Sequence, residues 1–344
     1  MKELNTEHIR KKYLLWILFT ALLLVLLVLS ALISITIGEV NISVFDLPGI
    51  LGQEGEGVEY AILNKIRLPR IILGFAVGGS LSLAGVILQG IYRNPLVEPY
   101  TLGISGGAAL GVALVIVTGL HYAFGSFMLP LVGFLGSLAT IVLVYSLGLR
   151  NGKIRVQSML LIGVMISFVV SSLMMFLMSV TSAENLHGIV FWMMGSLDEP
   201  NIILIRVALL ASVIGLFLAY LFVKPLNALR LGQEKAKHLG FNTEVTLRIL
   251  FVTASLLTGI CVAVAGVIGF VGLIIPHLMR IIIGSDYRIL LISSFLGGGI
   301  FLIFSDLLAR TIISPIELPI GVITGIIGGT LFVIVLSRKN LRFN

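Results

Sequence analysis

Residues 67–111 read RLPRIILGFAVGGSLSLAGVILQGIYRNPLVEPYTLGISGGAALG, and the fold follows from this stretch. It opens on basic residues around Pro69, with Lys65, Arg67 and Arg70 close together. An apolar run dotted with Gly74, Gly78, Gly79, Ser80, Ser82, Ala84 and Gly85 follows. Small residues on several faces of one helix let neighbouring helices approach closely, as membrane bundles require. The run stops at Arg93-Asn94-Pro95-Leu96-Val97-Glu98-Pro99 and restarts at Tyr100-Thr101-Leu102-Gly103. That loop is too polar to lie against lipid, which places it at an interface or in a protein-lined cavity.

Outward from this stretch the composition agrees. Of 344 residues, 58% are hydrophobic and 11% charged, and mean hydropathy is +1.13. Soluble domains carry about 25% charged residues. A soluble globule is excluded, and an all-α polytopic membrane protein is the class that remains. The single Cys261, inside an apolar run, excludes an internal disulfide and a cysteine metal cluster.

A spanning helix needs about 20 apolar residues. Ten runs meet that need approximately: 13–37, 66–92, 101–118, 127–148, 157–180, 201–223, 245–264, 267–283, 289–309 and 317–337. The eighth is interrupted by Pro276 and follows the seventh after a short turn at Ala265-Gly266, so a single bent helix is the competing reading. The first run exceeds a signal-peptide core, so it reads as a retained helix. Domain organisation is then a tail over 1–12, one membrane domain over 13–337, and a tail over 338–344.

With the N-terminus inside, 18 Lys and Arg fall on inner segments and 5 on outer ones. The positive-inside rule selects this orientation, with both termini cytoplasmic in a cell membrane. The net charge of +7 thus reads as loop bias and not as a nucleic-acid surface. A faint repeat at an offset of 181 residues pairs Arg67 with Arg248, Ala84-Gly85-Val86-Ile87 with Ala265-Gly266-Val267-Ile268, and Pro95 with Pro276. In a ten-span chain it relates two inverted halves, a common transporter plan.

The stretch resembles the iron-siderophore, haem and vitamin B12 permease family of ABC importers. An R-L-P-R start (67–70), a Gly-rich second helix (74–90), an N-P-L-x-E-P loop (94–99) and a G-x-S-x-G restart (103–107) follow in the family's order. The match continues over nearly the whole chain. The resemblance implies a permease subunit, working as a dimer with itself or a close relative. Its partners would be ATPase subunits, which bind ATP and Mg, and an extracytoplasmic substrate-binding protein. The cargo would be an iron chelate, a ferric siderophore or haem, with cobalamin or molybdate as alternatives.

The same resemblance implies site residues. The loop 224–244 reads KPLNALRLGQEKAKHLGFNTE. From Gly232 a short helix would set Ala236, Leu239 and Gly240 on one side and Gln233, Glu234, Lys235 and Lys237 on the other, with His238 among them. Its own sequence allows a solvated loop; the resemblance makes it the helix that couples to the ATPase. Asn94, Leu96, Val156 and Gln157 fall at helix mouths where the family keeps its cytoplasmic gate. Arg67, Arg70 and Arg310 match arginines that pair with glutamates on the binding protein. The residues themselves allow a structural reading, in which Arg310 pairs with Asp306 four residues away and Arg67 and Arg70 reach lipid headgroups.

Gln89 lies deep in the second span, where it suits an interhelical hydrogen bond. Met174 and Met178 share a face, which suits packing or a soft lining for a bulky chelate. No G-x-x-x-x-G-K-[ST] string occurs, so ATP hydrolysis belongs to another subunit and this chain is no enzyme. The G-x-S-x-G string opens an apolar helix instead of following a soluble strand, which removes the nucleophile-elbow reading. No His, Cys or carboxylate set has metal-ligand spacing, so no cofactor is expected on this chain. An ion-coupled secondary transporter would need an acid near mid-span, and the sequence places none there.

Overall fold

A computed structural model describes residues 2–52, 57–125, 127–150 and 153–337. Ten apolar helices form the body: α1 (Lys2–Thr36), α2 (Leu68–Tyr92), α3 (Ile104–Thr118), α4 (Met128–Gly148), α5 (Val156–Val180), α6 (Ile202–Leu221), α7 (Thr243–Ala265), α8 (Val271–Ile283), α9 (Tyr287–Thr311) and α10 (Ile320–Ser337). Seven apolar stretches are long enough to cross a membrane as they stand, and α3, α8 and α10 are shorter apolar helices. The expected tail over 1–12 differs, because α1 is helical from Lys2. The tail over 338–344 lies outside the described residues.

Buried contacts place α2 at the centre. It packs most extensively against α9, then α7, α6 and α8, and its side chains from Leu73 to Ile91 are almost all buried. Without a water-driven force between helices in lipid, van der Waals contact must supply the association, so backbones have to come close. A Cβ added to Gly78 would collide with the Gly298 carbonyl, and one on Gly298 with the Gly78 carbonyl. Gly85 meets the backbone of Gly272 in the same way. The Gly103-Ile104-Ser105-Gly106-Gly107 stretch works likewise, with Gly107 crossing Gly136.

One end of the bundle joins the start of α1 to the start of α9: Lys12 Nζ lies 3.8 Å from Asp286 Oδ2, and Arg288 donates to the Tyr13 hydroxyl at 2.6 Å. Arg93 and Arg230 belong to this basic end, since they share a cavity wall with Arg280. The opposite end gathers Arg67, Arg70, Asp306 and Arg310. Successive helices alternate between the two ends, so α1 and α6 run in opposite directions, and the two halves of five follow suit.

The irregular segments meet at the centre. After α2 the chain turns at Arg93 and comes back to the level of Leu81, where Pro99 and the Leu81 carbonyl crowd Gly272. The Ile268 N–H donates to the Tyr100 hydroxyl at 3.2 Å, and the Phe270 N–H bonds Glu98. The polar loop therefore takes the protein-lined option, which is how non-helical backbone is tolerated at membrane depth. Pro276 does not end α8, which runs through it. The break falls at Gly266 and Phe270, both with positive φ, and it separates α7 from α8 as two helices.

The repeat at a fixed offset of 181 does not survive as an alignment of elements. It pairs Ala84–Ile87, in the middle of α2, with the break after α7. The inverted order of helices is present all the same. A further helix, Ala183–Met194, and a two-stranded hairpin pairing Leu149 with Ile154 lie outside the ten spans.

The Gly78–Gly298 crossing is testable. Gly298→Leu is expected to lower thermal stability in detergent sharply, since overpacking of a close-packed site costs about 1–3 kcal/mol or more. Gly325→Ala, where nothing lies within 4 Å, is expected to leave the melting temperature within error.

Candidate functional site

At the arginine end the chain is already helical before α2, through Val58–Ala61 and a wider π turn over Ile62–Arg67, so Pro69 lies inside a continuous helical run and Arg70 follows it facing α9. Arg70 donates from Nη2 and Nε to Asp306 Oδ1 at 2.9 and 3.2 Å, and from Nη1 to Glu317 Oε2 at 2.8 Å. The Arg310 Nε donates to the other Asp306 oxygen at 3.0 Å, and its Nη2 reaches Ser34 Oγ on α1 at 2.9 Å. Arg67 donates to the carbonyls of Ile35 and Val40. One buried carboxylate thus joins two helices through two guanidiniums, and Arg310 and Arg67 add α1.

In this structure the three outer arginines turn inward and bond within the bundle. Arg67, Arg70 and Arg310 are 3%, 6% and 8% exposed, so within this chain each is satisfied internally and neither Arg67 nor Arg70 reaches toward lipid headgroups. A binding-protein glutamate would have to displace Asp306, Glu317 or main-chain carbonyls. The structure does bring Arg70 and Arg310 together, and the Arg310–Asp306 pair forms as the spacing of four predicts. The exposed member of the cluster is Glu317.

Above the cluster opens a cavity of about 570 Å³. Arg70, Asp306 and Glu317 form one wall; His121, Tyr122, Glu184, His187, Phe191 and Trp192 form the others. Sequence reasoning missed His121, Glu184, His187 and Glu317 as neighbours. They come from three separate connections, and no local spacing links them. Among the described residues no group of three His, Cys, Asp or Glu could hold a metal ion. Met174 packs into a small cluster with Ile189, Met178, Trp192 and Met193, which favours the packing reading of the methionines.

At the basic end, 224–244 folds as Val223–Leu229 and Gln233–His238. Gly232 and Gly240, both with positive φ, bracket the second helix. Glu234 and Lys237 form an exposed pair at 3.5 Å. Gln233 is half-buried, Lys235 and His238 are exposed, and Ala236 is fully buried within this chain. Ala236 is therefore not an outward apolar contact, and the expected shared face divides: Leu239, 59% exposed, is the apolar group left open.

The Asn94 side chain accepts the Leu96 N–H at 2.9 Å, a local turn that leaves Leu96 exposed. Val156 is buried in the core and Gln157 exposed at the start of α5. Nearby, burial opposes the Asp286 charge, but bonds from Arg288 and Asn227 outweigh it and hold its pKa at about 2.

A bundle of ten apolar helices, with irregular backbone buried at its centre and a cavity at one end, defines a membrane permease. The FecCD transport family matches over residues 22–338, and the chain belongs to it. It is 38% identical over 332 residues to the hemin transport system permease protein HmuU of Yersinia pestis, covering 94% of this chain and 96% of that one. It is 36% identical over 281 residues to the cobalamin import system permease protein BtuC of Halobacterium salinarum, covering 82% and 74% respectively. A solved inward-facing ABC transporter assigned to the metal-chelate type superposes with a TM-score of 0.82 at 32% identity, covering 92% of this chain and 98% of that one.

Removing Asp306 should expose the cost of the cluster. Asp306→Asn leaves buried Arg310 without a carboxylate and Arg70 with Glu317 alone, and breaking a buried pair costs about 3–5 kcal/mol. Glu317→Gln, at a half-exposed carboxylate, is expected to cost under about 1 kcal/mol. Thermal unfolding of the two variants in detergent checks the ranking.

Proposed function

We propose that this chain is the permease subunit of a binding-protein-dependent ABC importer, carrying an iron chelate (a ferric siderophore or haem) into the cytoplasm by ATP-driven alternating access. The cavity at the arginine end carries the reading. Its size suits a small-molecule ligand, aromatic side chains line it, and no metal-ligand set among the described residues would strip a bare ion from water. A cargo whose metal stays inside its own chelate fits that wall. The hemin relative supports the choice, and the cobalamin relative makes cobalamin the second reading.

The same proposal sets the orientation. The basic end faces the cytoplasm, by the positive-inside bias, with both termini there. ATP and Mg belong to a partner ATPase, which seats on the helix Gln233–His238 in the helix-in-groove manner. Leu239 is the apolar contact. Asn94, Leu96, Val156 and Gln157 lie at the end where the inner gate would close. A second permease copy covers α5, whose Leu161, Phe168 and Phe176 are each more than 60% exposed. The binding protein meets the arginine end, drawing on Arg67, Arg70 and Arg310 through exchange of their present partners. Asp306, held by two arginines, is not open to a coupling ion, which disfavours a secondary transporter.

Reconstitution decides between the classes. Proteoliposomes holding the permease, its ATPase and its binding protein are expected to take up ferric siderophore or haem only with ATP. Uptake by the permease alone would establish ion-coupled or passive transport instead.

Two sets of variants test the geometry. In intact cells an impermeant thiol reagent should label Phe45→Cys and leave Lys237→Cys untouched; native Cys261 is buried. The reverse pattern would invert the orientation. Leu239→Asp should cut ATPase co-purification several-fold while the permease inserts normally, and wild-type recovery would remove this helix from the interface.

A further inference from the structure

Three arginines converge at the basic end of the bundle with nothing acidic among them. Arg93 is the C-cap residue of α2, Arg230 that of the helix Val223–Leu229, and Arg280 lies in the last turn of α8. They line one cavity of about 780 Å³, and no carboxylate lines it among the described residues. Arg230 lies close enough to Arg280 to repel it. Cations at helix C-termini are favoured by the dipole, which supplies about −0.5 charge per helix. Three such ends offset at most about half of the three positive charges, so the cavity keeps a net positive field.

The cavity is also built. Gln89 Nε2 donates to the carbonyls of Gly272 and Leu273 at 3.3 and 3.4 Å, which turns its Oε1 to accept from Arg280 Nη2 at 3.1 Å. Arg280 is thereby held on α2, with Gln89 its one hydrogen-bond acceptor among the described residues. Gly90 lacks the Cβ that would collide with the Tyr287 hydroxyl, so that buried ring reaches the cavity wall. Arg93 has φ 52, in the left-handed region that glycine or asparagine takes more cheaply. An arginine at a strained cap points to use of its charge. At the rim stand Leu231 and Ile281, 57% and 48% exposed.

We propose that Arg93, Arg230 and Arg280 form a binding site for a phosphate group, carried by an anionic lipid headgroup or free in solution. Guanidinium forks suit phosphate oxygens bidentately, and basic pockets between helices are places where lipid headgroups settle. The exposed Leu231 and Ile281 at the rim are suited to acyl chains.

The test uses the purified full chain in detergent and measures binding of dioctanoyl-phosphatidylglycerol, inorganic phosphate and dioctanoylglycerol. Saturable binding of the phosphatidylglycerol, with no comparable binding of dioctanoylglycerol, is expected. Its Kd should rise at least about tenfold in Arg280→Gln and in the Arg93→Gln, Arg230→Gln double variant. Arg230→Gln alone, at an exposed side chain, should weaken binding without touching the fold, and Lys224→Gln should leave it unchanged. Competition by inorganic phosphate at similar affinity would identify a soluble phosphate as the source; absence of competition would identify the lipid. Failure of both probes to bind, or binding at wild-type affinity by the Arg230→Gln and Arg280→Gln variants, would overturn the site and leave the cluster to a carboxylate of a cytoplasmic partner.

Discussion

Everything in this bundle depends on how closely other backbones approach α2. In lipid, apolar side chains gain little by meeting each other, so association rests on contact area between surfaces that fit. Gly78 against Gly298 and Gly85 against Gly272 remove the side chains that would keep α9 and α8 away. With these two crossings in place, α2 is buried along most of its length, and the remaining helices pack around it. The short α8 can begin in the middle of the protein because α2 covers its first turn.

That arrangement also explains how irregular backbone survives at depth. The loop after α2 and the break after α7 lie against each other, and each supplies what the other lacks. Tyr100 accepts the Ile268 N–H, and Glu98 accepts the Phe270 N–H. Unpaired main-chain groups in hydrocarbon would cost several kcal/mol each. Paired across the centre, these two segments keep their main-chain polar groups away from lipid.

The two ends handle charge in opposite ways. At one, Asp306 and Glu317 together balance Arg70 and Arg310, and the cluster clamps α1, α2 and α9 together beneath a cavity with an aromatic wall. At the other, arginines gather at helix C-termini around a cavity that no carboxylate lines among the described residues. A closed ionic cluster resists movement, whereas an open basic cavity attracts a partner or a lipid.

Periodicity and composition by themselves determined the class, the ten apolar segments and the segregation of basic residues to one end, because length and hydropathy are local properties that the bilayer reads directly. The motif order at 67–111 carried the family, and Asp306 with Arg310 at a spacing of four carried their pairing. The tertiary structure alone decided which way charged side chains turn. Arg67 and Arg70 sit near a helix end, as the sequence implies, yet point inward, since Asp306, Glu317 and the carbonyls of α1 arrive from more than 200 or about 30 residues away. Ala236 is buried and Leu239 exposed for the same reason: which face of a short helix is covered depends on the neighbours that fold over it. The break at 266–270 likewise belongs to the packing of Gly272 on α2, so Pro276, the stronger local signal, marks no boundary.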